Sequence, residues 1–356
     1  MKKSTGLWIG KTGQANAWYH IYPFVESALI KQLHIVRYTH PQRKIESNKA
    51  IFHVFKANGY INQLFKYFFT GFKVLRTKDI DFIVSFNLIP WASLSWMLAK
   101  IFRKPLIIGL IGSDFHKYLI KGKGRFFLKF ILNRTDVITT TGNKMMEYFK
   151  DNNYANNVFI YPHCLADEWF SLDVIKSDRK YDLITISELK GNKRTIDIIN
   201  AVFLLKERGI NLRLKILGVG PEMEMLKSKV EKLKLKDNVK FAGYQSNVTE
   251  HLLNAKIFIQ ASIHEGLSLS LIEALGAGVV PVITEAGSEK DVVSHDYDAL
   301  FFKIMDTNDL VSKIEYAIDR ENYNRIKNNI LKTREKFRIK NAILRVEEIQ
   351  RYLMKK

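Results

Sequence analysis

Short apolar runs alternate with stretches of helical periodicity along the second half of the chain. The runs are rich in β-branched and aromatic residues and lie at Tyr181–Ile186, Leu212–Leu217, Val239–Phe241, Ile257–Ala261 and Val279–Thr284. Strands that alternate with helices in this way predict β-α-β units and a parallel sheet. The runs that are almost wholly apolar, such as Val279–Thr284, fit strands that helices cover on both faces of the sheet.

The first half follows the same plan less regularly. Strands are predicted at Leu7–Ile9, Leu33–Val36, Phe82–Phe86, Leu106–Ile111, Val137–Thr140 and Val158–Tyr161. Helices are predicted at Tyr22–Lys31, Ile61–Arg76, Trp91–Phe102, Gly124–Asn133 and Lys144–Lys150. Polar and turn-forming residues at Pro162–Asp178 separate this pattern from the second one.

The two patterns predict an α/β protein with two Rossmann-like, doubly wound domains. A length of 356 residues suits two such domains. We place them at residues 1–165 and 166–339, and we expect the helical stretch at 340–356 to pack back on the first domain. Open α/β sheets bind ligands at the carboxyl ends of their strands. Two such sheets in tandem therefore predict a ligand site between the domains.

Composition narrows the class of protein. The single cysteine, Cys164, excludes a disulfide framework and a cysteine zinc site, and it favours a reducing, cytoplasmic compartment. The most apolar stretch, Phe82–Phe102, is interrupted by Asn87, Pro90 and Lys100. A membrane-spanning helix needs roughly 20 mostly apolar residues without such breaks. We therefore expect a buried strand and a helix there, in a cytoplasmic protein that is at most peripheral on the cytoplasmic face of the membrane.

Positive charge is concentrated in the first half. Residues 1–170 carry 24 Lys and Arg against 10 Asp and Glu, and the other residues carry 32 against 26, within a net charge of +20. A basic half suggests an anionic partner, which is nucleic acid, acidic lipid or a phosphorylated acceptor. Alternatively, the charge only keeps the protein soluble, and composition does not separate these cases.

The segment 261–283 combines a strand end, a tight turn and a helix start. The strand ends at Ser262, the turn Glu265-Gly266 follows, and a helix begins near Leu267-Ser268. Backbone N–H groups at such a helix start suit a diphosphate. Glu273 lies two turns into the helix, and at roughly 100° per residue it returns close to the face of Glu265. One carboxylate can therefore face a sugar while the other binds hydroxyls of the same ligand; a helix cap and a surface salt bridge are the alternative roles.

The spacing and surroundings of these two glutamates are specific. Glu265 and Glu273 form an E-x₇-E pattern, which continues into Ala274-Leu275 and Gly278-x-x-Pro281-Val282. The segment resembles the retaining glycosyltransferases of the GT-B fold, family 4 (glycosyl transferases group 1), over residues 181–302. The resemblance implies two Rossmann-like domains facing across a cleft, the first binding the acceptor and the second the nucleotide-sugar. It also implies transfer with retention and no requirement for a cofactor or metal.

Three further motifs in the second half match this family. Gly218-Val219-Gly220-Pro221-Glu222 corresponds to its G-x-G-P-E turn, and Val239–Tyr244 corresponds to the segment near which the nucleotide base binds. Lys193 falls where the family has a diphosphate-binding lysine. An ammonium group there offsets the charge that develops on a departing diphosphate. A solvated lysine at a helix start is the alternative.

The chain departs from the family at two places. Ser187-Glu188 replaces the Gly-Arg pair ahead of the lysine, and a glutamate does not bind a diphosphate. Lys190 and Arg194 are the candidates to replace the missing arginine. The glycine that usually comes two residues after E-G is Ser268.

The first half resembles the family more faintly. Gly112-Ser113-Asp114 follows a predicted strand as in the family's H-G-S-D, although Ile111 replaces the histidine. Asp114 is a candidate catalytic residue, with a turn or helix cap as the alternative. Gly10-Lys11-Thr12-Gly13 lies where the family's first glycine-rich loop approaches the donor. It lacks the first part of a Walker motif, so we discount an NTPase.

The resemblance thus implies a set of catalytic and donor-binding residues. The catalytic ones are Glu265, Lys193 and Asp114, and the donor-binding ones are Gly218, Tyr244, Gly266, Leu267, Ser268, Glu273 and Gly13. The strings Asp79-Ile80-Asp81 and Asp296-Tyr297-Asp298 are of the kind that holds a metal in the other main transferase fold. Because the tandem pattern does not suit that fold, we interpret them as turn residues and predict no metal ligand.

Two stretches of the first half mix basic and aromatic residues at helical spacing. They are Lys56–Lys78 and Lys117–Arg134. Such helices can lie in an anionic membrane interface, where each basic residue contributes about 1 kcal/mol. Alternatively, the aromatic side chains face the core and the lysines are solvated. Because similar family members bind acceptors with the amino-terminal domain, and these are often lipid-linked, membrane contact is the preferred hypothesis.

The resemblance implies a glycosyltransferase that moves a sugar from a nucleotide-sugar, with UDP favoured over GDP, to a saccharide or lipid-linked acceptor. The process is then cell-surface polysaccharide synthesis, such as that of lipopolysaccharide or capsule. One alternative is a nucleotide-sugar epimerase on the same two-domain plan, which consumes donor without an acceptor. The other, suggested by charge alone, is a nucleic-acid-binding protein, whose binding weakens steeply with salt. We expect a donor and an acceptor as partners, and no nucleic acid.

Overall fold

The chain forms two compact units, each built on one parallel sheet. The computed structural model describes residues 3–355 except 12–16, 112–118, 120–124, 153, 155–156, 162 and 175–178. One unit is Met1–Cys164 with Ile339–Lys356, and the other is Leu165–Arg338. In the described residues the first sheet has seven strands and the second has six. The predicted α/β class with two Rossmann-like domains is confirmed.

The sheet of the first unit has the strand order β3-β2-β1-β4-β5-β6-β7. Its strands are β1 Ser4–Ile9, β2 Ile30–Arg37, β3 Ala50–Val54, β4 Phe82–Phe86, β5 Leu106–Gly109, β6 Val137–Thr140 and β7 Val158–Ile160. Its helices up to this point in the chain are α1 Ala17–Glu26, α2 Tyr60–Thr77, α3 Ser93–Phe102, α4 Arg125–Leu132 and α5 Asn143–Asp151. Right-handed crossovers place α2, α3 and α4 on one face of this sheet and α1 on the other.

The second unit repeats the plan with the order β10-β9-β8-β11-β12-β13. Its strands are β8 Tyr181–Ile186, β9 Leu214–Leu217, β10 Val239–Phe241, β11 Ala255–Gln260, β12 Val280–Thr284 and β13 Leu300–Phe302. Its helices are α6 Thr195–Glu207, α7 Met223–Lys232, α8 Thr249–Leu253, α9 Leu269–Gly276, α10 Thr307–Ile318 and α11 Arg320–Thr333. In both sheets the strand order reverses beside the first strand, at β1/β4 and at β8/β11.

The central strands are buried on both faces, as their apolar sequences require. Every residue of β4, β5, β6 and β12 is buried. Helices therefore shield both faces, and side-chain alternation does not mark these strands. Phe82–Phe102 is a strand followed by a helix, as predicted. Among the described residues, no helix is both long enough and apolar enough to cross a membrane.

The last helix, α12 at Ile339–Met354, lies on the first unit beside α1. The Ser27 hydroxyl donates to the Gln350 side-chain oxygen at 2.7 Å, within a buried contact. The Ala28 amide donates to the Glu347 carboxylate at 3.1 Å. These bonds fix the end of the chain to the connection between α1 and β2.

Three elements of the sequence interpretation need correction. The helix predicted at Tyr22–Lys31 is wrong in its bounds, because α1 begins at Ala17 and β2 begins at Ile30. Residues 17–21 are all buried, so no polar positions mark the helix start. The strands Ala50–Val54 and Leu300–Phe302 were not predicted. Both are short edge strands whose pairing partner, not their own sequence, makes them extended.

We expect Arg179→Ala to destabilise the second unit. The buried guanidinium of Arg179 donates to the backbone carbonyls of Val174, Ala255 and Ala277 at 2.5–3.2 Å. Its loss leaves these carbonyls without a charged donor and should lower the free energy of unfolding by about 3 kcal/mol. Urea unfolding measures the change. Arg213→Ala, which removes an exposed arginine, is the matched control and should cost under about 1 kcal/mol; equal losses would contradict the prediction.

Candidate functional site

The reversal of strand order in the second unit lies between β8 and β11, which are neighbours in the sheet. The chain leaves these two strands toward opposite sides, and open α/β sheets bind ligands in the crevice that this creates at the carboxyl ends. The segment after β8 carries Lys193, and the segment after β11 carries Glu265. The sequence-predicted pair therefore occupies the position that the topology favours for a ligand.

Lys193 sits in a tight turn whose shape is fixed on both sides. The turn is a single 3₁₀ turn, Gly191–Lys193, and the next residue, Arg194, has a left-handed backbone with φ of 53°. The guanidinium of Arg194 holds the Asp197 carboxylate with two hydrogen bonds of 2.8 and 2.7 Å. From the other side, the Ile263 amide donates to the carbonyl of Asn192 at 2.8 Å. The segments that carry Lys193 and Glu265 are therefore joined by a backbone hydrogen bond, independently of their side chains.

The Lys193 ammonium contacts the Glu265 carboxylate directly. The same carboxylate oxygen accepts a hydrogen bond from the Ser262 hydroxyl at 2.9 Å. The two charged side chains are 18% and 16% exposed, so both are mostly shielded while keeping an edge open to solvent. Attraction between such partly buried charges is stronger than on an open surface. The structure thus brings together the two predicted catalytic residues of this unit.

A third segment, which follows β12, supports the turn that carries Glu265. The Glu265 amide donates to the Ala286 carbonyl at 3.0 Å, and the Ser288 amide donates to the Gly266 carbonyl at 2.7 Å. Between them, Gly287 lies so close that a Cβ atom would stand 2.1 Å from the Gly266 carbonyl oxygen. Only glycine permits this approach of two backbones.

Glu289 is a buried carboxylate that sequence reasoning missed. It is 0% exposed, and its oxygens accept from the Gly287 amide at 2.6 Å and from the Gln260 side-chain amide at 3.2 Å. It therefore ties the supporting segment to the end of β11. The sequence feature that could have identified Glu289 is its place directly after the Gly287-Ser288 turn, which follows the mostly apolar strand β12. A buried charge of this kind is tolerated only when its oxygens are hydrogen-bonded.

The predicted helix start is placed as expected. Ser268 is the N-cap of α9, and its hydroxyl accepts from the Leu271 amide at 3.4 Å. Leu267 is buried beneath the turn. Glu273 lies just over one turn into this helix, because α9 begins at Leu269, and not two turns in as predicted; its side chain is partly buried. The turn Gly266–Ser268 and the helix start are contiguous with the Lys193–Glu265 contact.

Two glycines let the loops after β8, β9 and β10 pack together. Gly218 has φ of 131°, and a Cβ there would stand 1.8 Å from the Ser187 carbonyl oxygen. Its amide donates to the Gly243 carbonyl at 2.7 Å. A Cβ at Gly220 would stand 2.3 Å from the Leu189 carbonyl oxygen. Tyr244, which follows this contact, is 60% exposed and presents a ring face to solvent.

The two candidates for the missing arginine both hold carboxylates. Lys190 forms a 2.5 Å ion pair with Glu188, the residue that stands in the arginine's place. Arg194 forms its bidentate pair with Asp197. Lys190 is the more exposed of the two, with 41% of its side chain open to solvent against 27% for Arg194. Its pair is therefore the easier one for an incoming anion to displace.

Of the candidates in the first unit, Gly13 and Asp114 lie outside the described residues. The chain leading to Gly13 is held at the β1/β4 reversal. The Tyr67 hydroxyl donates to the Gly10 carbonyl at 3.2 Å, and the Asn87 side chain donates to the Lys11 carbonyl at 2.9 Å. The start of this loop is thus fixed at the same topological position as the site of the second unit.

A buried histidine on α1 was not singled out by the sequence. Burial, together with the neighbouring His163 and Arg37, lowers the pKa of His20 to about 3. The imidazole is therefore neutral at physiological pH. Its ring lies 4.7 Å from Phe86 and 6.4 Å from Tyr161, within an aromatic cluster.

The two D-x-D strings make structural contacts. Asp81 accepts from the Thr5 amide at 2.7 Å, at the start of β1. Asp298 accepts from the Ser294 amide at 2.6 Å and from the Thr333 hydroxyl at 2.5 Å. Within the part of the chain that the structure describes, no group of three or more His, Cys, Asp and Glu side chains is arranged to hold a metal ion.

Comparison with known proteins agrees with this geometry. Residues 167–333 match the family model of glycosyl transferases group 1. The chain is 24% identical over 265 residues to the N-acetyl-alpha-D-glucosaminyl L-malate synthase of Bacillus anthracis, covering 70% of this chain and 68% of that protein. It is 28% identical over 263 residues to an alpha-1,4-N-acetyl-D-galactosaminyltransferase of Campylobacter jejuni whose name includes an undecaprenol-linked glycan, covering 73% of this chain and 71% of that protein.

A solved structure shares the fold over nearly the whole length. HepE of Anabaena, in complex with UDP-glucose, has a TM-score of 0.79 at 14% identity and covers 98% of this chain and 99% of its own. At this identity the likeness shows the fold alone. It includes both units, whereas the family model covers mainly the second.

We expect Gly287→Ala to loosen the turn that carries Glu265. The added methyl group meets the Gly266 carbonyl oxygen, so the hydrogen bonds across this contact must lengthen. Hydrogen exchange of the Glu265 and Ser288 amides should accelerate about tenfold, the loss of one hydrogen bond's protection.

Gly209→Ala is the matched control for this change. Gly209 has φ of 81° and nothing within 4 Å of an added Cβ, so alanine there costs stability through backbone strain alone. It should leave exchange of the two amides relative to the rest of the unit unchanged. Unaltered exchange in Gly287→Ala would show that the close approach does not hold the turn.

Proposed function

We propose that this chain, which belongs to the glycosyl transferases group 1, transfers a sugar from a UDP-sugar to a saccharide or lipid-linked acceptor, with retention of anomeric configuration. The process we propose is the synthesis of a cell-surface glycan. Two observations on other proteins support the donor and acceptor classes: the HepE structure contains UDP-glucose, and the Campylobacter jejuni relative is named for an undecaprenol-linked glycan.

The observation that carries the proposal is the Lys193–Glu265 contact at the β8/β11 reversal. Nucleotide-sugar cleavage places negative charge on the departing diphosphate, and a fixed cation aimed at that charge lowers the barrier. Glu265 and the Asn192–Ile263 backbone bond hold the Lys193 ammonium in place without substrate. A group that is already oriented needs little reorganisation during the reaction.

The neighbouring groups suit the rest of the donor. The first backbone N–H groups of α9, beside Gly266–Ser268, lie at the positive end of the helix dipole, which favours the binding of phosphate oxygens. Glu273 farther along the helix is proposed to accept from donor hydroxyls. The exposed ring of Tyr244, at the end of the β10 segment, is proposed to contact the base. We propose that Glu265 meets the sugar of the donor while it holds Lys193 beside the diphosphate.

The reaction that follows from this arrangement is a group transfer governed by position and charge. The bond between the anomeric carbon and the diphosphate oxygen breaks, and the acceptor hydroxyl forms the new bond to that carbon. The electron pair goes to the diphosphate, beside Lys193, and the departing diphosphate oxygen takes up the proton that the acceptor hydroxyl loses. We propose no covalent intermediate with the enzyme and no metal.

We expect Lys193→Gln to lower the transfer rate about 10²- to 10³-fold, because the developing charge loses its fixed cation. The proton NMR spectrum of the product gives both the rate and the anomeric configuration. Lys227→Gln is the matched control, since Lys227 pairs with Glu224 at 2.9 Å on an exposed helix surface of the same unit. The control should keep its rate within about twofold. An epimerised donor formed without acceptor would support the epimerase instead.

We expect UDP to stabilise the protein and Glu273→Gln to weaken that stabilisation for UDP-sugars. A ligand at 100 times its Kd adds about 2.7 kcal/mol to the free energy of unfolding. Thermal unfolding with UDP, GDP and a panel of UDP-sugars measures this. Glu224→Gln, at an 84% exposed side chain, is the control. Stabilisation by GDP alone, or a Glu273→Gln protein indistinguishable from the control, would contradict the proposed donor site.

A further inference from the structure

Helices α2, α3 and α4 form one continuous outer layer on the first unit. The rings of Phe72 on α2 and Phe102 on α3 lie 5.1 Å apart, and those of Trp96 on α3 and Phe130 on α4 lie 5.7 Å apart. Phe72, Trp96 and Phe102 are half-buried and Phe130 is 42% exposed, and their ring contacts connect neighbouring helices. The side chains outside them therefore belong to a single surface.

That surface exposes large apolar side chains. Among them are Phe65 and Phe69 on α2, Ile101 on α3, and Phe126 and Phe127 on α4, between 55% and 84% open to solvent. We call these five side chains the aromatic face. Single exposed apolar residues are ordinary, but a cluster over three adjacent helices marks an interaction surface.

The charge around the aromatic face has one sign. Helices α2, α3 and α4 contain no aspartate or glutamate, while they carry Lys66, Lys73, Arg76, Lys100, Arg125 and Lys129. Among the described residues, none of these six forms an ion pair with a carboxylate. Another helix of the same unit, α12, is different, since its Arg345 and Arg351 pair with Glu348 and Glu347. The lack of acidic residues is therefore particular to this layer.

We propose that the aromatic face docks this protein on an anionic bilayer surface. The exposed phenylalanines enter the boundary between headgroups and acyl chains, and the surrounding lysines and arginines reach the lipid phosphates. Because the charge around the aromatic face is only positive, it favours an anionic surface. The exposed apolar side chains favour a surface with an apolar interior, as a bilayer has. Ile101 and Met97 on α3 and Ile61 on α2 are also exposed, and they add aliphatic area that lipid accepts and that nucleic-acid bases do not stack on.

Docking of this kind brings the first unit to the surface where a lipid-linked acceptor would lie. It does not depend on the transfer reaction, because binding needs neither donor nor acceptor. Failure of one proposal therefore leaves the other open to its own test.

The experiment is co-sedimentation of the full chain with vesicles of phosphatidylcholine, with and without phosphatidylglycerol. We expect binding only to the anionic vesicles, and weaker binding as salt rises. Lys73→Gln/Arg125→Gln should bind about 25-fold more weakly, which is about fivefold for each charge removed. Phe69→Ser/Phe126→Ser should bind at least about tenfold more weakly, because less apolar area enters the bilayer. All four positions are exposed, so the fold should survive these changes.

Two control proteins make the same chemical changes elsewhere. Leu344→Ser/Met225→Ser removes two exposed apolar side chains, and Lys232→Gln/Lys240→Gln removes two exposed charges. Both should bind as the unaltered protein does. Equal binding to neutral vesicles, equal losses in the controls, or binding to a single-stranded oligonucleotide but not to vesicles would each overturn the proposal.

Discussion

The hydrogen bond from the Ile263 amide to the Asn192 carbonyl joins the turns that leave two neighbouring parallel strands. Without it, Lys193 and Glu265 would stand on independent loops. With it, their contact is set by backbone, and the side chains need little ordering of their own. Ordering side chains costs conformational entropy. A site whose two segments are already joined by a backbone hydrogen bond therefore loses less conformational entropy when it binds a charged ligand.

Behind this bond lies a second layer that has no direct part in the chemistry. Glu289 is fully buried, where a charge is costly, and it is retained with hydrogen bonds to Gly287 and Gln260. Gly287 in turn lies against the Gly266 carbonyl. The turn that carries Glu265 thus packs against Gly287, and Gly287 is itself held by the Glu289 carboxylate.

The two units share one sheet topology, but the surfaces of their outer helices differ in charge. In each, the reversal of strand order fixes a loop by hydrogen bonds, at Lys11 through Asn87 in the first and at Asn192 through Ile263 in the second. The first unit then carries an outer layer of helices without acidic residues, whereas the helices α7, α10 and α11 of the second contain both signs of charge. Part of the uneven charge seen in the sequence therefore lies on a layer of helices that has no acidic residues and that also exposes apolar side chains.

The sequence by itself determined what depends on neighbours along the chain. The buried strands such as Val137–Thr140 and Tyr181–Ile186, the helix that Ser268 caps, and the spacing of Glu265 and Glu273 are local patterns of period, capping and sequence distance. They can be predicted because a few consecutive residues carry the whole signal. The family resemblance extended this to the type of site, since it is carried by one continuous segment.

Only the tertiary structure decided what depends on residues far apart. Lys193 and Glu265 are separated by 72 positions, and Ser27 and Gln350 by 323. The start of α1 and the edge strands β3 and β13 were missed because burial and pairing, not local period, define them. The partners of Lys190 and Arg194, the role of Glu289 and the side of α2 that faces solvent were likewise undetermined. In each case the feature is stabilised by a contact between residues that come together only when the chain folds.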